Sequence, residues 1–214
     1  MALTQLKLYN GALSYLGERK ISSLTEARES RRALDDVWDG GDFKGLILEN
    51  GLWNFATRTV EIDYDPSIDP GFGYAYAIEK PADWIRTVGL SADEFFVAPL
   101  IEYNDEGGYI FSDNETLYMR YVSNDDDYGG DIAAWPESFS EYAKAYMAYR
   151  ASPRLSQSED KTEYLRKLSD RLLVQARSKD AMNDPTIFMP QGSWVSARRG
   201  LGKPKRDSGG NWQF

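Results

Sequence analysis

The sequence predicts a mainly α-helical fold with inserted β structure: a four-helix bundle, a small antiparallel β subdomain and an extended C-terminal arm. Three observations predict it. Apolar residues recur at helical spacing near both ends of the first 180 residues, β-branched residues and turn signals fill the stretch between, and Pro and Gly punctuate the last 34 residues. We therefore assign 1–56 and 132–180 to the helical bundle, 57–131 to the β-rich insertion and 181–214 to the arm.

Two helices are predicted in the first 56 residues. Apolar residues at spacings of three or four define the first helix, and Gly17 suits a left-handed cap just after it. Thr25 is the predicted N-cap of the second helix, which Asn50-Gly51 closes. Gly40-Gly41 weakens this helix, and we expect it to be kinked or split there. The stripes are Leu3, Leu6, Tyr9, Leu13 and Leu16 in the first helix, and Ala27, Leu34, Val37 and Trp38 in the second.

The insertion has the pattern of short antiparallel strands. Asp-Pro pairs and clusters of Asn, Asp, Ser and Gly separate segments that are rich in β-branched and aromatic residues. The predicted strands are 57–62, 74–78, 85–90, 95–101, 109–111 and 116–122, with turns at 104–108 and 112–114.

Helical spacing returns after the insertion. Pro136 suits the first turn of a third helix, and Ser158 is the predicted cap of a fourth. The two stripes are Phe139, Tyr142, Ala143, Tyr146, Met147 and Arg150, then Tyr164, Leu165, Leu168, Leu172 and Ala176. Four helices from both ends of this body are expected to bury one another's stripes.

Composition excludes several kinds of chemistry. The 214 residues include no Cys and no His, which rules out disulfides, thiolate ligands, Ser-His-Asp triads and HExxH zinc sites. Asp and Glu number 34 against 25 Lys and Arg, so a net charge of −9 argues against wrapping nucleic acid with the whole surface. The N-terminus lacks a signal-peptide pattern and no apolar run reaches membrane length, so we expect synthesis in the cytoplasm and no membrane partner.

Three segments resemble known functional motifs, but each lacks a residue or element that the motif requires. The acidic run 124–131 places Pro136 where a calcium loop needs a bidentate Glu, and Gly71-Phe72-Gly73 lacks the third glycine of a dinucleotide loop. Ser158 and Lys161 match SxxK, but the KTG element is absent. We therefore assign no catalytic residue, metal site or cofactor, although a catalytic pair among the 34 carboxylates stays open.

The charge changes sign at the arm. Residues 1–180 hold 20 Lys and Arg against 32 Asp and Glu, a net charge of −12, whereas 181–214 carry five cations and two acids. The arm also keeps large apolar residues, which a solvated linker avoids and a docking segment uses; plain disorder is the alternative. The residues predicted to bind a partner are Ile187, Phe188, Met189, Trp194, Arg198, Arg199, Trp212 and Phe214.

Five segments, in order along the chain, carry a resemblance to a known family. They are 9–18 (YNGALSYLGE), 21–26 (ISSLTE), 53–57 (WNFAT), 81–86 (PADWIR) and 135–139 (WPESF). Together they resemble the tail tubular protein A family, the head-to-tail adaptors of short-tailed phages, over roughly residues 3–180. The segment 185–199 is similar to the arms with which related adaptors grip the portal, whereas the basic tail after Arg199 departs from the pattern.

This resemblance implies a structural virion protein at the head–tail junction that is not an enzyme. It implies a homo-oligomeric ring, normally of twelve subunits, which joins the portal protein to the tail nozzle protein. Double-stranded DNA would pass through the lumen without specific binding, because an acidic wall repels phosphate. Two alternatives stay open: a carboxylate-dependent peptidoglycan hydrolase carried by the virion, and a nucleic-acid factor that uses only the basic tail.

Overall fold

The computed structural model describes residues 3–71, 73–97, 99–183, 205–206 and 212–213. The chain divides into two compact units, Met1–Asn183 and Asp184–Phe214. In the second unit, strand β7 (Lys205–Arg206) pairs antiparallel with β8 (Trp212–Gln213). Everything described below belongs to the first unit.

The described part of the first unit contains helices and strands in an α+β arrangement. The helices are α1 (Gln5–Leu16), α2 (Glu29–Asp39), α3 (Phe43–Glu49), α4 (Glu137–Leu155) and α5 (Glu159–Ala181). The strands are β1 (Thr57–Asp63), β2 (Tyr76–Glu79), β3 (Trp84–Ser91), β4 (Asn104–Glu106), β5 (Tyr109–Ser112) and β6 (Thr116–Ser123).

The predicted fold class, mainly α with a four-helix bundle, is wrong. The described residues form five α-helices and two three-stranded antiparallel sheets, which is an α+β fold. The predicted second helix splits at Gly40-Gly41, because Asp42 takes a left-handed φ of 45° and its side chain accepts a hydrogen bond from the Gly45 amide, starting α3 afresh. The residue boundaries of the predicted regions stay predictions.

The ends of the helices test the predicted caps. The Gly17 cap is confirmed, with φ of 70°, and Ser158 is confirmed because its hydroxyl accepts from the Lys161 amide. The Thr25 cap is wrong, because α2 begins at Glu29 after Arg28. Helix α4 begins at Glu137, with Pro136 just before its first turn.

Two sheets form the β part of the unit. Sheet A has the strand order β1-β6-β3 and sheet B the order β2-β5-β4, with antiparallel pairing throughout. Five predicted strands overlap the observed ones, but the strand at 95–101 is wrong. There the Asp93 carboxylate accepts hydrogen bonds from the amides of Phe95 and Val97, which closes a turn around Phe96 at φ of 52°.

Strand β4 occupies residues that the sequence predicts as a turn. Asn, Asp and Glu are poor strand formers, and the segment is extended because Gly107 and Gly108, at φ of 57° and 90°, fold it back onto β5. The hairpin turn is therefore two residues long.

Two apolar clusters stabilise this unit. The larger contains the buried faces of the helices together with Trp53 and with Val122 of β6, and the smaller lies among the strands. The smaller cluster comprises Ile78, Leu90, Ile110, Leu117, Met119 and Tyr121. Tyr164 was predicted on the buried face of α5, but it is 63% exposed. None of the helices in the described part of the chain combines the length and hydropathy of a membrane span.

Candidate functional site

Negative charge is concentrated in residues 57–131, which we call the acidic β region. It contains 17 Asp and Glu against four Lys and Arg, a net charge of −13. The flanking segments 1–56 and 132–180, which we call the helical part, contain 15 acids and 16 cations, a net charge of +1. The whole excess of negative charge in the body therefore comes from the strands and their loops.

Many carboxylates of the acidic β region accept hydrogen bonds from uncharged hydroxyl groups. A hydroxyl donor satisfies a carboxylate without adding positive charge, so the negative charge of the region is retained. The pairs include Tyr118–Glu61 at 3.1 Å, Thr116–Asp63 at 2.7 Å, Tyr76–Glu115 at 2.9 Å and Ser67–Asp65 at 2.6 Å.

The cations of the acidic β region do little to cancel that charge. Arg58 and Lys80 form ion pairs with Asp83 and Asp105. Arg86 donates to the Glu49 carbonyl, and Arg120 stacks on the ring of Phe96, 4.1 Å from its centroid. In the helical part, by contrast, carboxylates lie beside cations, as in Arg31–Asp35, Arg154–Glu29, Lys144–Glu141 and Arg166–Glu163.

Asp83 is the most highly connected carboxylate of the region. It accepts hydrogen bonds from Arg58 at 3.0 Å, Tyr121 at 2.9 Å and Ser123 at 2.5 Å, while its carbonyl accepts from the Asn124 amide. Burial opposes its ionisation, but the three side-chain donors outweigh burial and lower the pKa of Asp83. Asp83 is therefore an ionised clamp that joins β1, β3 and β6, and it is poorly suited to act as a general acid.

The outer face of sheet A combines carboxylates with aromatic and apolar side chains. We define it by Tyr118 and the exposed residues Glu61, Asp63 and Arg120, together with Glu94, Phe95 and Val97 in the turn whose Phe96 ring lies against Arg120. The hydrogen bond to Glu61 raises the pKa of Tyr118, and the charges of Glu94 and Asp63 raise it further, as a concentrated negative potential does. Phe95 is 66% exposed although it is a large apolar residue. Such a face is typical of a protein contact.

Sheet B and its flanking loops carry a second set of exposed carboxylates. They are Glu79, Glu102, Asp105, Glu106, Asp113 and Glu115. Lys80 contacts Asp105 at 2.5 Å and lies 3.7 Å from the centre of the Trp84 ring. This side of the acidic β region is therefore polar and strongly negative.

Two open clefts lie on the surface of the unit. The first, of about 560 Å³, runs beside the α4–α5 connection and is lined by residues that include Tyr149, Pro153 and Arg166. In the second, of about 540 Å³, Arg86 and Arg177 donate to the carbonyls of Glu49 and Asn50 at the end of α3. These guanidinium groups thus satisfy helix-end carbonyls.

Within the described residues, no group of three or more Asp or Glu is arranged to hold a metal ion.

The predicted partner-binding residues lie outside the described residues, except for Trp212, which belongs to strand β8.

The acidic run 124–131 is held by its own turns: the Asp125 carboxylate accepts from the Asp127 amide, and Asp131 accepts from Ala133. The sequence-based prediction of sites therefore missed both faces of the acidic β region. Counting charge by segment indicates that region, but pairing Glu61 with Tyr118 requires the strand register.

The motif segments that carry the family resemblance stabilise the fold. Asn10 accepts from the Ile21 amide and donates to its carbonyl, which fixes the loop after α1. The indole of Trp53 donates to the Leu48 carbonyl and that of Trp135 to the Gly129 carbonyl, both in buried positions. With Asp83, these residues give each of the five segments a structural role.

No protein-family model matches the sequence, and no curated protein matches it either.

Proposed function

We propose that this protein is a virion head-to-tail adaptor, a ring-forming structural protein between the portal and the tail nozzle through which DNA passes. The single observation that carries the proposal is the acidic β region, which has a net charge of −13 and in which many carboxylates accept hydrogen bonds from uncharged hydroxyl groups. The ordered motif segments, which resemble the tail tubular protein A family, point to the same role.

An acidic wall suits a DNA passage for an electrostatic reason. Duplex DNA carries one negative charge per about 1.7 Å of its axis, and contacts with cations would hold it in place. Screening limits the repulsion to about 8 Å at physiological salt, so it acts only where DNA comes close to the wall. The exposed carboxylates of sheet B and its loops are the best candidates for this lining because they are numerous, although Ile101 beside Glu102 is also exposed.

The arm supplies the proposed grip on the portal. Its aromatic and Arg residues are of the kinds that dominate interface energies, and Arg can bind carboxylates in a bidentate way. In a pull-down with the portal protein of the same phage, the full-length Trp194→Ala/Arg198→Ala/Arg199→Ala variant should lose most of the binding of the unmodified chain. A Ser193→Ala/Ser196→Ala/Lys203→Ala variant is the matched control, and equal binding by both variants contradicts the role of the arm.

The lining is tested by changing the sign of its charge. A Glu79→Lys/Glu102→Lys/Glu106→Lys variant should retard duplex DNA in a gel-shift assay at low salt, with a steep loss of binding as salt rises. The corresponding triple Gln variant removes the charge without adding cations and should leave DNA free. Strong binding of DNA by the unmodified chain contradicts the proposed lining and favours the nucleic-acid alternative.

The hydrolase alternative requires a carboxylic acid that keeps its proton near neutral pH. Hydrogen bonds from neighbouring donors lower the pKa values of five carboxyl groups, Glu26, Asp65, Asp83, Glu141 and Glu163, that of Glu163 to about 2. These five groups are thus unsuited to the acid role. Zymography on cell-wall substrate decides the matter, since a zone of lysis that a single carboxylate substitution abolishes overturns the adaptor proposal.

A further inference from the structure

We infer that the outer face of α5 binds the outer face of sheet A on a second copy of the chain, in a head-to-tail contact. The inference rests on the proposed function, because it names the surfaces through which copies of the adaptor would join. Two separate features of the first unit lead to it: a basic and partly apolar helix face, and an acidic and partly apolar sheet face.

The outer face of α5 is a continuous exposed stripe. Tyr164, Lys167, Arg171, Val174 and Ser178 are all exposed and follow one another at spacings of three and four, so they lie along one side of the helix. Val174 is 64% exposed, although a large apolar side chain gains free energy from burial. We call these five residues the α5 stripe.

The charge of α5 is opposite to that of the acidic β region. Over its whole length α5 holds six cations and five acids, but four of the acids lie at its two ends, and the segment 166–179 holds five cations and one acid, a net charge of +4. Lys167 contacts Glu163 at 3.4 Å, whereas Arg171 forms no ion pair within the described residues. The α5 stripe therefore offers both a cation and apolar surface to a partner.

The outer face of sheet A offers the complementary groups. Glu61, Asp63 and Glu94 supply negative charge around Tyr118 and outnumber Arg120, which lies on the same face and stacks on Phe96. Phe95 and Val97, the chain neighbours of Phe96, are exposed apolar side chains. A face with this charge cannot pair with its own copy without bringing like charges together, and the same holds for the α5 stripe. Complementary charge therefore selects a second copy turned so that the two different faces meet.

A contact between two different faces has a consequence for symmetry. The contact is heterologous, so a pair of copies leaves one α5 stripe free at one end and one sheet A face free at the other. Further copies can add at these ends, and a ring forms when the rotation between neighbouring copies brings the last copy against the first. A contact of this kind therefore supplies the geometry that a ring-shaped adaptor needs.

Cysteine cross-linking tests the contact directly, because the natural chain contains no Cys. We mix the full-length Phe95→Cys and Val174→Cys variants and add a short bis-maleimide reagent. A dimer band should form in the mixture and be at least fivefold weaker for either variant alone. Arg32→Cys, an exposed position on α2, mixed with Val174→Cys is the control. Absence of the dimer band, or an equal band in the control, overturns the inference.

Charge exchange provides a second test. Lys167→Glu/Arg171→Glu and Glu61→Lys/Asp63→Lys should each weaken self-association at least tenfold in sedimentation, and an equimolar mixture should recover it, because each variant then meets an opposite charge. Circular dichroism checks that both variants fold. Unchanged association of the first variant, with intact portal binding by the unmodified chain, overturns the contact and leaves the adaptor function standing. A chain that neither self-associates nor binds a portal overturns both.

Discussion

The helical part and the acidic β region of the same unit treat their carboxylates differently. In the helical part, Glu141 accepts a hydrogen bond from the Tyr15 hydroxyl but also lies beside Lys144, and Glu163 lies beside Arg166, so these charges cancel locally. In the acidic β region, Glu61 lies beside Tyr118 and Glu115 beside Tyr76, so hydrogen bonds form while the charge remains. Hydrogen-bond satisfaction and charge neutralisation are therefore separate properties: the hydroxyl-bonded carboxylates of the helical part also have a cation beside them, whereas Glu61 and Glu115 of the acidic β region pair with a hydroxyl alone.

The two parts also differ in what stabilises them. Aromatic contacts run through the helical core, where Phe139 packs edge-on against Trp53 and Trp135 with ring centres 4.7 and 4.9 Å away. The smaller cluster among the strands has fewer large side chains and adds the polar clamp at Asp83. The acidic β region should therefore depend more strongly on single polar groups.

The largest expected effect comes from breaking that clamp. Asp83→Ala leaves Arg58, Tyr121 and Ser123 without their shared acceptor, and we expect a loss of about 3 kcal/mol in the free energy of unfolding. Urea unfolding measures it. Asp127→Ala, in the exposed loop, is the control and should change stability by less than about 0.5 kcal/mol. Equal losses of stability in Asp83→Ala and Asp127→Ala would show that Asp83 stabilises the fold no more than an exposed loop residue does.

The next effect tests the junction between the two parts. A Cβ on Gly129 would lie 2.5 Å from the Ser123 carbonyl and 2.9 Å from a Leu48 methyl, so Gly129→Ala should cost about 2 kcal/mol through overpacking. Gly89 of β3 has open space at the same position, and Gly89→Ala should be neutral or slightly stabilising. Thermal unfolding of both variants checks the contrast, which a tolerated Gly129→Ala would contradict.

Lowering the pH should reduce the contribution of Asp83 to the free energy of unfolding. Because its folded pKa is lowered, Asp83 stabilises fully above the pKa of an unfolded Asp, about 3.9, and the stabilisation is lost as pH falls through the folded value. Urea midpoints measured from pH 7 down to pH 3 should therefore fall less steeply for Asp83→Ala than for the unmodified chain. Parallel curves for the two proteins would show that Asp83 does not contribute to acid sensitivity.

The smallest expected effect lies in the helical part. Arg154 pairs with Glu29 and Asp36, but all three side chains are exposed, so solvent screens the pairs and Arg154→Ala should change stability only slightly. Chemical unfolding at low and high salt checks this, since the difference should shrink as salt screens the pairs. A loss as large as that of Asp83→Ala would reverse the comparison between the two parts.

The sequence predicts the elements whose pattern is local. The spacing of apolar residues locates α1, α4 and α5, and the two caps at Gly17 and Ser158 follow from local rules. The split between α2 and α3 depends on the left-handed Asp42, and β4 on a pairing across Gly107-Gly108, neither of which periodicity reveals. At 95–101 the alternation suggests a strand, but the Asp93 turn competes successfully with sheet pairing.

The candidate site, too, is only partly predictable from the sequence. The excess of acids in 57–131 is visible in the sequence, whereas the partners of those acids are not. Tyr118 is 57 residues from Glu61, and only the antiparallel register of β1 and β6 brings them together. Likewise, helical spacing alone places Tyr164 and Leu165 near one face, but packing against the rest of the fold buries Leu165 and exposes Tyr164.

The tyrosine–carboxylate pairs make the electrostatic field of the β strands adjustable without redesign of the fold. An amide oxygen accepts the same hydrogen bond as a carboxylate oxygen, so Glu61→Gln or Glu115→Gln deletes one charge and preserves the donor's partner. The same exchange at Glu163 would abolish an ion pair with Arg166. Single substitutions of this kind can therefore change the electrostatic potential of the surface stepwise while the fold stays the same.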